Sequence, residues 1–391
     1  MTKVRAAVLL VLTSAIATSV AGAAGGEALL RYRERNRSTV PSIMAPLFYR
    51  HERLRSALVR DSRYYRWVTV DEHGFRGPST AVKKTKPANT FRIMVVGGST
   101  VFDSYVSRDD RAWPARLEHA LRCASSGQTV EVINAGVPGY VMVDNLIRLQ
   151  TQLYEFAPDL LILYQAHNDL LASLHRIPEI NAAARMPHKV AAISPWKEWL
   201  EHNSMLYAKV AAKMKGTRRQ TTSADTRTTQ PAQIYLASID AGAARHEKDL
   251  RSFLVLAQSF GIKVVVPEIV HIGNNDPTSL DDKSRSTWLN AYGIPPEHTL
   301  AGYYRYEHVT MKITHDLGVK YLPLRDAGLG AQELYADGDP IHFNDEGADR
   351  MGAWMARSLM GAGVIPTEVT GSAATPVRND RCQPPQSTVD P

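Results

Sequence analysis

Dense apolar runs recur along the chain after residue 90. They are FRIMVV at 91–96, VEVINA at 130–135, LLILY at 160–164, IKVVVPEIV at 262–270 and VKYLPL at 319–324. The runs are nearly continuous rather than alternating, which is typical of strands buried on both faces of a parallel sheet. The sequence therefore predicts a sheet of these strands at the core of the protein.

Helical periodicity occurs between and after these runs. Apolar residues recur at helical spacing over residues 112–123, 142–155, 241–260, 302–317 and 345–361. Strands that alternate with helices favour a parallel sheet with helices on both faces. We therefore expect an α/β protein, a three-layer α/β/α sandwich around a central, mainly five-stranded parallel sheet.

Two segments interrupt the alternation of strands and helices, and a tail follows the last helix. Residues 175–233 and 274–299 are long excursions, and residues 213–231 are polar and basic enough to predict a flexible insertion. The tail over residues 366–391 is rich in Pro, Ser and Thr, and we expect it to be disordered. The main domain is therefore predicted over residues 91–365.

The first residues have the layout of an export signal. Two basic residues precede an apolar run over residues 6–12, and small residues at 21–23 fit a cleavage site. We predict a signal peptide over residues 1–24 and a periplasmic or secreted protein. The alternative is an uncleaved signal anchor that associates the protein with a membrane, because four arginines over residues 31–37 follow the run.

Composition and charge narrow the classes of function. Of the 391 residues, 44% are hydrophobic and 22% charged, an ordinary globular balance. The net charge is +7, and much of the basic excess lies in residues 25–90, which we predict to be an N-terminal extension packed on the main domain. No zinc-finger or RNA-binding signature accompanies this excess, so we expect no nucleic-acid partner.

Cysteine and histidine spacing gives little further guidance. Cys123 and Cys382 do not make a disulfide framework; one bridge between them and two unrelated thiols fit the sequence equally well. No histidine pair has the HExxH zinc spacing, and we expect no metal site. His308 and His315 are predicted to be ordinary helix residues, and the oligomeric state stays open.

Small and polar residues follow the first three predicted strands where each strand ends. Ser99 lies in GGST, Gly136 in NAGVPG and Asn168 in AHND, while Asp339 and His342 lie in DPIH before the last helix. Ligands of open α/β sheets bind outside the carboxyl ends of the strands. We therefore expect these residues to lie close together.

Three of these residues suit nucleophilic attack. A serine hydroxyl is a weak nucleophile that needs an adjacent base, and His342 can accept the proton of Ser99. Asp339 can fix the histidine tautomer and stabilise its charged form. Asp337 is a second candidate for that role, but the shorter link from residue 339 to the histidine favours Asp339.

Three donors are candidates for an oxyanion hole. They are the N–H groups of Ser99 and Gly136 and the side-chain amide of Asn168, and each such donor is typically worth about 10²–10³ in turnover. A glycine at 136 would let the backbone approach the substrate closely. His167 and Asp169 flank Asn168, and we expect them to hold the loop or start the next helix.

In order and spacing these blocks resemble those of the SGNH hydrolases, also called GDSL esterases and lipases, over roughly residues 91–361. The segment VDEHGFRGPS at 70–79 is similar to an extension of bacterial exported members. The resemblance implies a flavodoxin-like fold, ester hydrolysis through an acyl-enzyme, and no metal or organic cofactor. The sequence departs from the family at Gly98, where an aspartate is usual, and at Ala166, where a glycine is usual. Neither residue transfers protons, so we expect the chemistry to survive.

These residues suit three functions. We expect a serine esterase that hydrolyses acyl esters, such as acetyl esters, of an exported carbohydrate or lipid. An O-acyltransferase acting on extracellular polysaccharide would use the same site, with a sugar hydroxyl instead of water as acceptor. An inactive carbohydrate-binding or scaffold protein is the third alternative, and the presence of all five site residues argues against it.

Overall fold

The computed structural model describes residues 2–35, 47–49, 51, 53–54, 56–64, 68–77, 82–125, 128–175, 200, 204–207, 209–210, 231–273 and 280–365. Contacts divide the chain into two compact units, residues 1–49 with 187–227 and residues 50–186 with 228–391. Residues 213–230 of the predicted insertion, the predicted tail and Cys382 lie outside the described residues. The pairing of the two cysteines therefore stays a prediction.

The first unit contains a long helix, α1 (Thr2–Arg35), and a short strand, β1 (Phe48–Tyr49). The helix runs through residues 21–23, where the sequence predicts cleavage. Near its end the Glu27 carboxylate accepts hydrogen bonds from the backbone N–H groups of Met205 and Leu206, at 2.9 and 2.8 Å. Among the described residues, none of the helices has both the length and the apolar content needed to span a bilayer. The export signal stays a prediction.

In the part of the chain that the structure describes, the second unit contains the central sheet and eight α-helices. Its strands are β2 (Ala57–Leu58), β3 (Ser62–Tyr64), β4 (Val68–Val70), β5 (Thr90–Gly97), β6 (Thr129–Gly136), β7 (Leu160–Tyr164), β8 (Lys263–Pro267) and β9 (Lys320–Leu322). Its helices are α2 (Ser99–Phe102), α3 (Trp113–Ala124), α4 (Met142–Thr151), α5 (His167–Leu174), α6 (Ala232–Ser259), α7 (Asp282–Tyr292), α8 (Pro296–Asp316) and α9 (Asp345–Gly361).

The central sheet confirms the predicted fold class. Five strands pair in parallel in the order β6-β5-β7-β8-β9. Numbered along the chain this is the order 2-1-3-4-5 of flavodoxin-like proteins. Every residue of β5 and β7 is buried, as their continuous apolar runs predict. On the flanking layers α3 packs against α9, while α6 packs against α4, α5 and α8.

Helix boundaries differ from the sequence prediction around the later strands. The helix predicted from residue 241 begins at Ala232, and the one predicted from residue 302 begins at Pro296. The added turns pack on each other, since the Tyr235 ring stacks on the His298 ring at 4.1 Å between centroids. Helix stability of this kind comes from tertiary packing that local periodicity does not record.

Part of the predicted extension packs on the sheet. Strands β3 and β4 form an antiparallel pair, and the chain then returns so that Arg76 N–H donates to Asn134 O of β6 at 3.1 Å. The neighbouring Phe75 ring is buried and meets the Phe156 ring edge-on at 4.9 Å. Residues 68–77 therefore extend the core beside β6.

Candidate active site

The end of β5 places Ser99 at the carboxyl edge of the sheet. Gly97 is the last residue of the strand, and Ser99 begins the short helix α2 directly after Gly98. A β-carbon at residue 97 would lie 2.2 Å from Tyr164 O of β7, so only glycine lets the two strands approach this closely. The tight strand-to-helix turn leaves Ser99 half-buried rather than enclosed.

Ser99, His342 and Asp339 form a continuous hydrogen-bonded chain. Ser99 Oγ lies 2.7 Å from His342 Nε2, and His342 Nδ1 lies 2.8 Å from Asp339 Oδ2. The other carboxylate oxygen of Asp339 accepts the backbone N–H groups of Ile341 and His342, both at 2.9 Å. Asp337 is exposed, so the structure agrees with the choice of Asp339.

Asp339 is held in its charged form. Burial alone raises the pKa of this carboxyl, but the charge of His342 and the three hydrogen bonds outweigh burial and lower the pKa to about 2. Hydrogen bonds to the charged form of a carboxylate have this effect. A fixed anion therefore faces Nδ1 of the imidazole and favours the tautomer in which Nε2 is free to accept a proton from Ser99.

Asn168 lies against the residue before the serine. Its Nδ2 donates to Tyr140 O at 2.9 Å, and a β-carbon at residue 98 would lie 2.6 Å from the same Nδ2. An amide nitrogen has two donors, so the second N–H can serve a substrate oxygen. The absence of a side chain at Gly98 lets the amide take this position.

The structure differs from the sequence prediction at Gly136. This residue is buried, and its N–H donates to Asn134 Oδ1 at 3.0 Å, so the N–H does not face a substrate. A β-carbon there would lie 2.2 Å from Phe102 N, which means that glycine is needed for β6 to pack against helix α2. The exposed glycine of the same loop is Gly139, which has a φ of +81°.

An aromatic cluster beside the site was not predicted from the sequence. His167, next to Asn168, is buried. Its Nδ1 forms a hydrogen bond with the Tyr303 hydroxyl, and its Nε2 lies 3.3 Å from the Tyr292 hydroxyl. Burial, with the nearby charge of His342, lowers the pKa of His167 to about 3, so the ring stays neutral. This histidine therefore takes part in a side-chain network as well as starting α5.

Tyr105 also lies at the site and was not predicted. Its ring centroid is 5.1 Å from that of His342, and the residue is 45% exposed. Burial of the hydroxyl and the charge of Asp339 raise the pKa of Tyr105. The contact depends on residues far apart in the chain, and no local motif marks it.

The remaining predicted residues have structural positions. Asp169 accepts Met142 N–H at 2.9 Å and Gln165 Nε2 at 2.7 Å, so it holds the loops after β6 and β7 together, as expected. His308 and His315 are exposed on α8. These contacts leave the hydrogen-bonded chain from Ser99 to Asp339 as the chemical centre of the described residues.

Sequence comparison identifies the family. The profile of the GDSL-like Lipase/Acylhydrolase family matches residues 95–350, which include all five predicted site residues. The chain belongs to this family. As a GDSL-like acylhydrolase it is a carboxylic ester hydrolase. A search of curated proteins gives no match.

Several solved structures are similar to this GDSL-like acylhydrolase. The acetyl xylan esterase AlAXEase is 16% identical with a TM-score of 0.39, covering 69% of this chain and 98% of its own. TesA is 15% identical with a TM-score of 0.40, covering 70% and 97%. The psychrotrophic esterase EstA from Pseudoalteromonas sp. is 12% identical with a TM-score of 0.39, covering 70% and 100%.

Proposed function

We propose that this GDSL-like acylhydrolase is a serine esterase that hydrolyses acyl esters, such as acetyl esters, of an exported carbohydrate or lipid. The observation that carries the proposal is the hydrogen-bonded chain from Ser99 Oγ through both nitrogens of His342 to Asp339. This arrangement pairs a nucleophile with a base and the base with an orienting anion, which is what activation of a serine requires. Export rests on the signal-like first residues.

The reaction proceeds in two steps at Ser99. Ser99 Oγ attacks the ester carbonyl while its proton passes to His342 Nε2, and the tetrahedral intermediate collapses with transfer of that proton to the departing alcohol. The acyl group is then attached to Ser99. A water molecule, deprotonated by the same nitrogen, attacks the acyl-enzyme, releases the acid and restores the serine. Asp339 stays ionised and stabilises the imidazolium in both steps.

The developing oxyanion needs hydrogen-bond donors beside Ser99. We assign two of them to Ser99 N–H and to the Asn168 amide, whose nitrogen lies against Gly98. Gly139 replaces Gly136 as the candidate for a further backbone donor, because it is exposed and immediately precedes Tyr140, whose carbonyl oxygen holds Asn168. Each donor of this kind typically contributes about 10²–10³ in turnover.

The position of Tyr105 favours an organic substrate that is large enough to contact its ring. Its partly exposed ring lies beside His342 and offers a flat apolar surface at the point where the leaving group departs. Aromatic side chains bury large areas while keeping a polar tip accessible. We propose that the ring contacts the alcohol portion of the ester.

A fluorophosphonate probe and product analysis test the proposal together. The wild-type protein should be labelled at Ser99 and should release acid from a chromogenic acetyl ester, whereas Ser99→Ala should do neither. Ser259→Ala, at an exposed serine on α6, is the matched control and should behave as wild type. Acyl transfer to an added glycan, with little free acid, would identify a transferase instead. Wild-type turnover by Ser99→Ala would refute the assignment of the nucleophile.

A further inference from the structure

The helix that carries the nucleophile is too short to stabilise itself. Helix α2 has only four residues, Ser99–Phe102. The last four carbonyl groups of any α-helix lack partners within the helix, and nucleating a single turn is unfavourable. The position of Ser99 therefore depends on groups outside the helix.

Three side chains from other parts of the chain bind the carbonyl oxygens of α2. The pairs are Thr100 O with Trp113 Nε1 at 2.8 Å, Val101 O with Asn134 Nδ2 at 3.0 Å, and Phe102 O with Arg76 Nη1 at 2.5 Å. Two of these donors come from α3 and β6, inside the residues that the family profile matches. Arg76 comes from the segment before them.

Arg76 makes the most extensive of these contacts. Its Nη1 also donates to Asp103 O at 2.6 Å, so one nitrogen holds two successive carbonyls at the end of α2. The guanidinium lies 4.9 Å from the centre of the Phe102 ring, and the side chain is 1% exposed. A cation at the C-terminal end of a helix is electrostatically favourable, and a buried fork of donors is a geometry that lysine does not reproduce.

Arg76 is itself fixed in place. Its Nε donates to Asp109 Oδ1 at 2.8 Å, and the other oxygen of Asp109 accepts both Thr69 N and Thr69 Oγ1, at 2.9 and 2.6 Å. Its backbone N–H is bound to Asn134 O, the residue whose side chain holds Val101. Arg76 and Asn134 thus join the extension, β6 and the nucleophile helix.

We propose that Arg76 is a positioning residue that fixes helix α2 so that Ser99 Oγ stays within hydrogen-bonding distance of His342. The proposal rests on the proposed function, because the position of Ser99 affects turnover only if Ser99 is the nucleophile. A displacement of a nucleophile by about 1 Å can cost about 10²-fold in rate. The segment that precedes the family domain therefore forms part of the catalytic apparatus without touching substrate.

The chain offers a closely matched control in Arg92. Arg92 is also fully buried, and it donates to three carbonyl oxygens, those of Phe156, Lys83 and Lys84, and to the Glu131 carboxylate. It lies near the start of β5, whereas Ser99 follows the end of that strand. At about 3.3 Å per residue, five residues of strand separate Arg92 from Gly97 by roughly 16 Å. Its loss should therefore weaken the fold without moving Ser99.

The test compares Arg76→Met, Arg76→Lys and Arg92→Met in the full chain. At a temperature where all are folded by circular dichroism, we expect Arg76→Met to lower kcat by about 10- to 100-fold with little change in KM. The rate of Ser99 phosphonylation should fall in parallel. Arg76→Lys should lose less, and Arg92→Met should lower the melting temperature while keeping kcat.

Two outcomes separate this inference from the proposed function. One outcome is wild-type kcat and phosphonylation rate in Arg76→Lys or in folded Arg76→Met, with Ser99→Ala inactive. That outcome would leave the proposed function standing and overturn the positioning role of Arg76. Equal kcat losses in Arg76→Lys and Arg92→Met would also overturn it, since both would then reflect stability. Activity in Ser99→Ala would instead overturn the proposed function. If Arg76→Met does not fold, Arg76→Lys, which retains the charge, decides.

Discussion

At the scale of single residues, a missing β-carbon at Gly98 determines where the Asn168 amide lies. The amide nitrogen occupies space that any side chain at residue 98 would need, since a β-carbon would lie 2.6 Å away. The nearest other atoms, Gln165 Oε1 and Tyr140 O, are both at 3.5 Å. The obstacle is thus the end of a movable side chain, and a substitution would displace the amide rather than the fold.

We expect Gly98→Ala to lower kcat by about 10²-fold, the typical loss of one oxyanion donor, with only a small change in melting temperature. The matched control is Gly97→Ala, because a β-carbon there would lie 2.2 Å from the backbone oxygen of Tyr164 in the adjacent strand. That variant should be strongly destabilised. Steady-state kinetics and thermal denaturation check both, and unchanged kcat in Gly98→Ala would mean that Asn168 does not act from its present position.

Ser99, His342 and Asp339 could be chosen from the sequence because each lies in a short motif at the end of a strand or before a helix, and the structure brings the three side chains together. The structure differs from the expectation at Gly136, whose N–H is bound to Asn134, and the reason is physical. Gly136 and Gly139 lie in one motif, NAGVPG. Which of them faces solvent is decided by the packing of β6 against Phe102, a contact with a residue more than thirty positions away. The contacts of His167 with Tyr292 and Tyr303, and of Tyr105 with His342, escaped prediction for the same reason.

At the scale of elements, Asp103 joins the end of the nucleophile helix to the start of α3. Its backbone is in the left-handed region with φ of +63°, and its Oδ2 accepts the N–H of Trp113, the first residue of α3, at 2.8 Å. Burial raises the pKa of this carboxyl to about 7, although the Trp113 N–H and the charge of Arg76 favour the anion. Ionisation of Asp103 therefore costs stability near neutral pH.

The sign of this pH effect follows from proton linkage. In the unfolded chain Asp103 loses its proton near its ordinary pKa of 3.8, whereas the folded protein keeps the proton up to about pH 7. Between these values the folded state binds more protons, so the contribution of Asp103 to stability falls as pH rises. Buried His167 and His271, with pKa values lowered by burial to about 3 and about 4, act in the opposite direction below their ordinary pKa of 6.5.

Comparison of variants isolates the contribution of Asp103. We expect the free energy of unfolding of Asp103→Asn, relative to wild type, to increase from pH 5 to pH 8 by on the order of 2 kcal/mol, since one pKa unit corresponds to about 1.4 kcal/mol. Urea unfolding at the two pH values measures this difference. Asp337→Asn removes an exposed carboxylate and serves as the matched control. A constant difference for Asp103→Asn would mean that Asp103 is already ionised at pH 5.

Hydrophobic periodicity predicted which strands and helices form better than it predicted the residues at which they begin and end. All five core strands lie within the apolar runs or extend them by at most a residue at each end. Helix α7, however, lies inside a segment interpreted as an irregular excursion, and the side chain of Asp281 caps it by accepting Ser284 N–H at 2.7 Å. An aspartate before a helix is a recognised start signal, so this helix could have been found from its cap.

At the scale of the whole molecule, the family profile and the folded unit do not begin at the same residue. The profile starts at residue 95, whereas the unit that contains the sheet starts at residue 50. Val68, Val70 and Phe75 are buried before the profile begins. Full burial of such side chains stabilises a fold by about 1.5–3 kcal/mol each, and the total stability of a domain is only about 5–15 kcal/mol. The extension is therefore energetically part of the domain.

Two truncated chains test whether the extension belongs to the domain. Both lack α1, and they differ only in residues 50–81. A chain that begins at residue 50 retains residues 68–77, while a chain that begins at residue 82 loses them but keeps the carbonyls of Lys83 and Lys84 that bind Arg92. We expect the shorter chain to unfold at a lower temperature or aggregate, and to react with a fluorophosphonate more slowly than the longer one. The loss follows from exposing the core beside β6 and from removing the Arg76 contacts to Phe102 and Asp103. Equal melting temperatures and equal labelling rates in the two chains would show that the sheet and its nucleophile helix are complete without the extension.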